Sequence, residues 1–171
     1  MTATEPVQPV GPTRAEARAV PGWDDYFLGI AVAVAARAKC TRRRVGAVLT
    51  IDHRIIATGY NGAAPGEDDC LGGACPRGLL GYDDVPGLGD YDRPGTPGFC
   101  IAIHAEVNAL LFATRDTKGA TAYITDPPCP GCRKALAAAG VVRAVWPDGE
   151  HDRAGLTDWS RPPVEQQSLV E

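Results

Sequence analysis

Two short segments constrain the fold of this chain more than any other part of its sequence. One is His104-Ala105-Glu106, and the other is Pro128-Cys129-Pro130-Gly131-Cys132, in which Cys129 follows His104 by 25 residues. Zn²⁺ binds imidazole nitrogen and thiolate sulfur, and three protein ligands leave a fourth position open for water, as in catalytic zinc sites. If His104, Cys129 and Cys132 share one metal ion, the fold must bring the two segments side by side.

Both segments stand where a helix is predicted to begin. The positive end of a helix dipole favours thiolates over thiols, so two converging helix starts would support metal binding. Glu106 is left unligated, and its carboxylate is free to move protons beside the metal. The alternatives are a structural zinc ribbon, or a core histidine with unrelated cysteines. The combined His-x-Glu and Pro-Cys-x-x-Cys motifs favour a catalytic centre.

Apolar periodicity predicts an alternation of helices and strands along the chain. Helical spacing is found at 23–39, 104–115 and 130–139, and strand-like runs are found at 44–51, 54–60, 121–125 and 141–146. Asp52-His53 is the predicted hairpin turn between the first two strands. The order α-β-β-α-β-α-β indicates an α/β fold, with helices packed on the faces of a sheet.

The length of 171 residues suits a single domain with less regular ends. We expect residues 1–21, which contain several prolines, to form a flexible N-terminal arm. The domain itself is predicted over 22–146, and 147–171 is left as an unassigned tail. Residues 62–99 form a long loop rich in glycine and proline. Such a loop inside a compact domain is expected to be functional or held in place by something.

The formal charge of −4 and the six cysteines limit the classes of function. An acidic chain has no broad basic field for a nucleic-acid backbone, so a nucleic-acid polymer is not an expected partner. We find no signal peptide and no apolar run long enough for a bilayer, and therefore expect a cytoplasmic protein without membrane contact. Six cysteines could form three disulfides in a secreted protein, but without an export signal metal binding or free thiols are favoured.

Several segments together resemble the deoxycytidylate (dCMP) deaminase family of the cytidine-deaminase-like superfamily. Besides the two metal-binding motifs, they are 23–27 (WDDYF), Cys40 with 42–48 (RRRVGAV), 58–62 (TGYNG) and 104–110 (HAEVNAL). The resemblance covers about residues 23–146. It implies a three-layer α-β-α sandwich with a mixed central sheet. It also implies a zinc-dependent hydrolase of pyrimidine nucleotide metabolism, which converts dCMP to dUMP and ammonia.

The chemistry that this resemblance implies assigns separate tasks to the metal and to Glu106. Zn²⁺ would lower the pKa of a bound water molecule to about 7. Glu106 would accept the proton, and the resulting hydroxide would attack the amidine carbon of the ring. The same carboxyl group would then protonate the ring nitrogen and the departing ammonia.

The resemblance also implies residues that bind the nucleotide. Asn61 is expected to hydrogen bond with the sugar hydroxyl or the base edge, although Asn-Gly is also a strong turn dipeptide and both roles can hold together. One of Arg42, Arg43 and Arg44 is expected to hold the 5′-phosphate, with Arg43 slightly favoured, and the alternative is a solvated linker. Ala105 completes the candidate substrate-binding set.

Four cysteines remain outside the first motif pair, namely Cys40, Cys70, Cys75 and Cys100. Members of the family can carry a second zinc held by residues in these regions, and four cysteines would complete a closed tetrahedral site that orders the glycine-rich loop. The alternative is ordinary buried or free cysteines. Residues 76–99 look longer than the family needs, and would form a lid, a regulatory nucleotide site or an oligomer contact. A homo-oligomer, either a dimer or a hexamer, is also expected, and the apolar first helix would suit a subunit contact.

Other functions remain compatible with the sequence. They include a deaminase of another nucleotide, of a nucleoside or of a base, including a secondary-metabolite pyrimidine. A tRNA adenosine deaminase is disfavoured by the charge, and the riboflavin-pathway deaminase usually precedes a reductase domain. A catalytically inactive, zinc-stabilised binding module is a further alternative, against which the unligated Glu106 argues. Relatives often continue with another helix and strand after the position of Trp146, and their absence would put nucleotide contacts in doubt.

Overall fold

A five-stranded sheet separates two layers of helices in this protein. The computed structural model describes residues 20–85 and 90–160. The strands are β1 (Gly46–Ile51), β2 (Arg54–Tyr60), β3 (Thr121–Ile124), β4 (Arg143–Trp146) and β5 (Gly149–Asp152). The helices are α1 (Trp23–Ala35), α2 (Ala105–Leu111), α3 (Pro130–Ala138) and α4 (Arg153–Thr157), and a short 3-10 turn lies at Arg77–Leu79.

The sheet is mixed, in the order β2-β1-β3-β4-β5. β3 and β4 are parallel and are connected through α3, as a parallel crossover requires. The other neighbouring strands are antiparallel. Helix α1 packs on one face of the sheet, and α2 and α3 pack on the other. The predicted three-layer α-β-α sandwich with a mixed central sheet is confirmed.

The hairpin between β1 and β2 turns at the predicted Asp52-His53 dipeptide. Both residues have positive φ angles, 50° and 57°. This is the backbone of a type I′ turn, whose twist matches that of the flanking strands. The His53 ring stacks on Trp23 with 4.3 Å between the ring centroids. The turn therefore also packs against the start of α1.

Two glycines on paired strands allow the helices to approach the sheet closely. A Cβ atom on Gly46 would lie 2.1 Å from the Ala31 carbonyl oxygen of α1, and one on Gly59 would lie 2.2 Å from the Ala105 carbonyl oxygen of α2. Real Cβ atoms do not approach backbone atoms this closely. Gly46 and Gly59 thus set the depth at which α1 and α2 sit on opposite faces.

Each face of the sheet has its own apolar core. Phe27 of α1 is buried against Val48 and Tyr123. On the other face, Leu49 and Leu136 are fully buried together with alanines of α2. The alanine-rich surface of α2 keeps the helix close to the sheet, so the residues at its start are held firmly.

The segment beyond residue 146 belongs to the folded domain over most of its described length. Residues 149–157 add the edge strand β5 and the short helix α4. Arg133 of α3 donates hydrogen bonds to the carbonyl oxygens of Gly155 and Asp158, and its guanidinium lies over Trp159. Residues 149–157 therefore extend the sheet beyond the predicted domain bounds of 22–146 and support α3.

Most helix and strand ends differ by a few residues from those predicted. Helix α1 ends at Ala35 rather than 39, and α2 ends at Leu111 rather than 115. In the second case Thr114 bonds to the Ile56 carbonyl through both its amide and its hydroxyl, which draws the chain away from the helix axis. Of the predicted N-terminal arm, residues 1–19 lie outside the described part, as does 161–171 of the tail.

No helix within 20–85 and 90–160 is both long enough and apolar enough to span a membrane.

Candidate metal centre and active site

The three predicted metal ligands come together at the starts of two helices. His104 is the N-cap of α2 and Cys129 is the N-cap of α3, and both have extended backbones that direct the chain into the helix. Pro130 occupies the first turn of α3, where its missing N–H costs nothing. The ligand atoms of His104, Cys129 and Cys132 all lie within 4.8 Å of one another.

The spacing of these atoms fits a tetrahedral zinc ion. His104 Nδ1 lies 3.2 Å from Cys132 Sγ and 3.5 Å from Cys129 Sγ. A zinc ion with Zn–S bonds of about 2.3 Å and a Zn–N bond of about 2.0 Å would place nitrogen and sulfur ligands about 3.5 Å apart. The donor set is also chemically suitable, since one imidazole and two thiolates leave a position for water.

The charge within this donor set is unevenly divided. Hydrogen bonds from Cys132 and then from His104 lower the pKa of the Cys129 thiol to about 4. The hydrogen bond with Cys129 in turn raises the pKa of His104. The pKa of Cys132 is raised, first by its hydrogen bond to Cys129 and next by burial. These hydrogen bonds favour a thiolate at Cys129, and a bound cation would favour loss of the Cys132 proton as well.

Glu106 lies in the first turn of α2 beside this donor set. Its side chain is almost completely buried, with 4% of its surface exposed. Burial raises the pKa of its carboxyl group, and Cys132 is a side-chain hydrogen-bond partner. A raised pKa makes this carboxyl group a better proton acceptor than an ordinary carboxylate, as suits a general acid–base group.

Tyr91, in the long loop, is a site residue that was not predicted from the sequence. Its hydroxyl oxygen lies 2.6 Å from His104 Nε2, the ring nitrogen that faces away from the cysteines. Burial, and then a hydrogen bond with the Cys100 thiol, raise the pKa of Tyr91, so the phenol remains neutral. No local pattern marks Tyr91, since only the path of the loop brings it to His104.

Asn61, the predicted nucleotide contact, holds the chain before β1. Its side-chain oxygen accepts a hydrogen bond from the Val45 amide at 2.8 Å, and its side-chain nitrogen donates to the Arg43 carbonyl at 2.8 Å. The residue is buried, and the amide retains one N–H for a further partner. Asn61 thus fixes the position of the arginine segment.

The three candidate arginines have different surroundings. Arg42 donates to the carbonyl oxygens of Arg77 and Leu80 and stacks over the Tyr82 ring. Arg43 forms an ion pair with Asp126 at 3.1 Å and is 55% exposed. Arg44 is exposed. The fold therefore uses Arg42 to hold the long loop, whereas Arg43 lies on the Asp126 side, close in sequence to the ligand Cys129.

The four other cysteines gather around the base of the long loop without forming a tight group. Cys75 Sγ lies 4.0 Å from Cys100 Sγ. Burial raises the pKa of Cys70 to about 12, with further effects of Cys75, Cys40 and Cys100. The amides of Arg42 and Arg43 point at Cys40 Sγ. Within 20–85 and 90–160, only the His104 group brings three ligand atoms within 4.8 Å of one another.

Known proteins share this combination of fold and site. The sequence profile of the cytidine and deoxycytidylate deaminase zinc-binding region matches residues 21–147. The deoxycytidylate deaminase of Mycobacterium phage D29 is 50% identical over 128 residues, which cover 74% of this chain and 95% of the phage protein. The deoxycytidylate deaminase of Saccharomyces cerevisiae is 40% identical over 128 residues, although the matched part spans only 38% of the yeast protein.

A solved structure agrees with these sequence relationships. The dCMP deaminase of cyanophage S-TIM5, in complex with dCMP and dUMP, superposes with a TM-score of 0.53 at 25% identity, covering 72% of this chain and 79% of the phage chain. The matched profile also contains all three metal ligands and Glu106. The chain therefore belongs to the cytidine and deoxycytidylate deaminase family.

Proposed function

We propose that this protein hydrolyses dCMP to dUMP and ammonia. The observation that carries the proposal is the cluster of His104 Nδ1, Cys129 Sγ and Cys132 Sγ beside the buried Glu106. Support for a cytosine nucleotide comes from the phage relative, named a deoxycytidylate deaminase, which matches along nearly its whole length. The structural neighbour in complex with dCMP and dUMP supports the same substrate.

Glu106 performs the proton transfers of this reaction. His104, Cys129 and Cys132 would hold a zinc ion, which when bound would supply Lewis acidity and lower the pKa of a water molecule to about 7. The Glu106 carboxylate accepts a proton from the water molecule as the water oxygen forms a bond to C4, and it delivers that proton to N3 of the cytosine ring. Glu106 then transfers the proton of the new C4 hydroxyl group to the amino group, and the C4–N bond breaks to release ammonia and leave the C4 carbonyl of dUMP. The exclusion of bulk water around Glu106 keeps the proton within the site.

The arginine segment is our proposed binding site for the 5′-phosphate. The Asn61 side chain holds both ends of residues 43–45, so the segment enters β1 in a fixed position. Arg43 is our preferred phosphate ligand, because its guanidinium is partly exposed and would exchange Asp126 for a phosphate with better charge complementarity. Arg44 is the second candidate. Asn61 has one N–H left for the sugar or base, and Ala105 is the first residue of α2, next to His104.

A second zinc ion held by Cys40, Cys70, Cys75 and Cys100 is part of the proposal. The 4.0 Å separation of the Cys75 and Cys100 sulfurs supports it, as do the backbone amides directed at Cys40. Such a site would tie the long loop to the end of α1. Zinc analysis should give two ions per chain, and a Cys129→Ala/Cys132→Ala variant should retain one. A single ion in the unaltered protein would contradict the second site.

We also propose a homo-oligomer that uses the outer face of α1. This face carries Tyr26, Gly29, Val32, Ala33 and Ala36, all of them exposed. Val32 is 61% exposed and Tyr26 is 48% exposed. Apart from Asp25 at its N-terminal end, this helix face is apolar, which favours contact with a second subunit.

Ammonia release from a panel of substrates tests the proposed function. The zinc-loaded protein is offered dCMP, CMP, deoxycytidine, cytosine and guanine, and dCMP should have the highest kcat/KM. No turnover of any substrate would favour an inactive binding module. Equal turnover of dCMP and deoxycytidine would contradict phosphate recognition by Arg43 or Arg44. An Arg43→Ala variant should lose dCMP turnover while its deoxycytidine turnover stays unchanged.

A further inference from the structure

The hydroxyl group of Tyr91 makes the shortest side-chain contact to the metal-binding histidine. It lies 2.6 Å from His104 Nε2, while His104 Nδ1 points at the two cysteine sulfurs. The Tyr91 ring is edge-on to the imidazole, with 5.5 Å between the ring centroids. Both nitrogens of His104 are therefore engaged, one on the metal side and one on the loop side.

The direction of this hydrogen bond follows from the metal-binding role of Nδ1. A neutral imidazole has one protonated and one unprotonated nitrogen, and only the unprotonated one ligates a metal. If Nδ1 ligates zinc, the proton lies on Nε2, which then donates to the Tyr91 oxygen. The phenol has a single proton of its own, and this remains free to be donated elsewhere.

Cys100 holds Tyr91 from the other side, because the Cys100 amide donates a hydrogen bond to the Tyr91 carbonyl at 3.0 Å. The Cys100 sulfur in turn lies 4.0 Å from the Cys75 sulfur. Arg77 further fixes the ring, because its guanidinium lies over it at 5.4 Å and donates to the Gly98 carbonyl. Tyr91 is thus held from several sides and is not a casual surface contact.

We propose that Tyr91 is the positioning residue of the catalytic metal site, and that it connects His104 to the four-cysteine cluster through Cys100. The Tyr91 oxygen accepts the Nε2 proton of His104, which fixes the imidazole in the form that ligates a metal through Nδ1. Such outer hydrogen bonds orient a ligand and raise its basicity. The long loop thereby supports the active site directly. The zinc affinity at His104 then depends on how well the loop is ordered at Cys100. This inference rests on His104 binding zinc as proposed above, but not on the substrate.

Zinc affinity and the proton position on His104 test the role of Tyr91. In the zinc-loaded full chain, Tyr91→Phe should weaken zinc binding by about 10-fold to 100-fold, measured by competition with a chromophoric chelator. The kcat for dCMP should fall with little change in KM. Nitrogen-15 spectra should place the His104 proton on Nε2 in the unaltered protein, and its exchange with solvent should become faster in the variant. The chain has three histidines, so these signals are readily assigned.

Tyr82→Phe is the matched control. It removes a hydroxyl group from the same loop, but that hydroxyl donates to the Arg42 carbonyl and does not contact His104. This control should keep the zinc affinity of the unaltered protein. Unaltered zinc affinity in Tyr91→Phe would overturn the proposal, as would a His104 proton on Nδ1 in the zinc-loaded protein. If Tyr91→Phe does not fold, slow solvent exchange of the His104 Nε2 proton in the unaltered protein supports its hydrogen bond to Tyr91, and fast exchange overturns the proposal. Neither zinc competition nor spectroscopy requires turnover. If dCMP is not the substrate, these two measurements still test the role of Tyr91.

Discussion

At the scale of single residues, Glu106 carries the most specific prediction. Glu106→Gln keeps the size and shape of the side chain but cannot carry the proton. The kcat for dCMP should fall by about 10²-fold to 10⁴-fold, the usual contribution of a general acid–base group. Zinc content, measured by metal analysis, should remain unchanged because Glu106 is not a ligand. Simultaneous loss of zinc and activity would instead indicate a structural role for this carboxylate.

The ion pair between Asp24 and Arg143 predicts a defined pH dependence of stability. Arg143 donates to both carboxylate oxygens at 2.8 Å, and this hydrogen bonding lowers the pKa of Asp24 below its ordinary 3.8. A folded-state pKa below the unfolded one stabilises the fold above pH 3.8, and the effect is lost as the pH falls through the lowered value. The contribution should be modest, since the Asp24 side chain is 43% exposed.

Urea unfolding of Asp24→Asn checks this sign. The variant should be less stable than the unaltered protein at neutral pH, and the difference should shrink in strong acid. Asp25→Asn removes the same charge from the same helix turn without touching the Arg143 contact, and serves as the control. A stability difference for Asp24→Asn that does not vary with pH would argue against the ion pair as its cause.

Site residues can be predicted from the sequence when their roles depend on spacing within a short motif. His104, Glu106, Cys129 and Cys132 could be predicted because each motif places them within one helix start. Tyr91 could not be predicted, since its position depends on the path of an irregular loop. The two hydrogen bonds of Asn61 to residues 43 and 45 could not be predicted either, because they depend on how the end of β2 aligns with the chain before β1.

At the scale of helices and strands, Gly59 and Gly46 offer a matched pair of substitutions. Alanine at either position would force a Cβ atom into the backbone of a packed helix. Each variant should lose about 3 kcal/mol of unfolding free energy, the upper part of the range for overpacked cores. Only Gly59→Ala should also weaken zinc binding, because α2 carries His104 whereas α1 carries no ligand of this site. Chemical denaturation and chelator competition measure the two effects.

An equal loss of zinc affinity in both variants would mean that the metal site senses overall stability rather than the position of α2. A fully retained stability in Gly59→Ala would mean that α2 is free to move away from the sheet.

Elements with strong periodicity were predicted well, and those without it were not. The Asp52-His53 turn and the alternation that follows it predict both ends of β2 correctly. In contrast, β5 has the sequence GEHD and is missed because an edge strand of polar residues has no apolar alternation. Helix α4 has five residues, which is too few for a helical period to become visible. Tertiary contacts through Arg133 stabilise this region instead.

At the scale of the whole molecule, the outer face of α1 predicts self-association. Val32→Glu places a charge in the middle of this face and should shift the protein to smaller assemblies, as measured by light scattering after size exclusion. Val142→Glu is the control, because Val142 is also exposed, at 42%, but lies in the turn before β4. An unchanged molar mass of Val32→Glu relative to the unaltered protein would exclude this face as the subunit contact.

The N-cap role of Cys129 has a consequence for how the protein handles its metal. The Cys129 sulfur accepts a hydrogen bond from the Cys132 amide at 3.4 Å, so one side chain both caps α3 and offers a metal ligand. The buried face of α2 packs through alanines rather than through the metal. A substitution at Cys129 would thus remove a helix cap and a metal ligand together. Zinc loss in such a variant is expected to be accompanied by fraying at the start of α3, while α2 is held by its own packing.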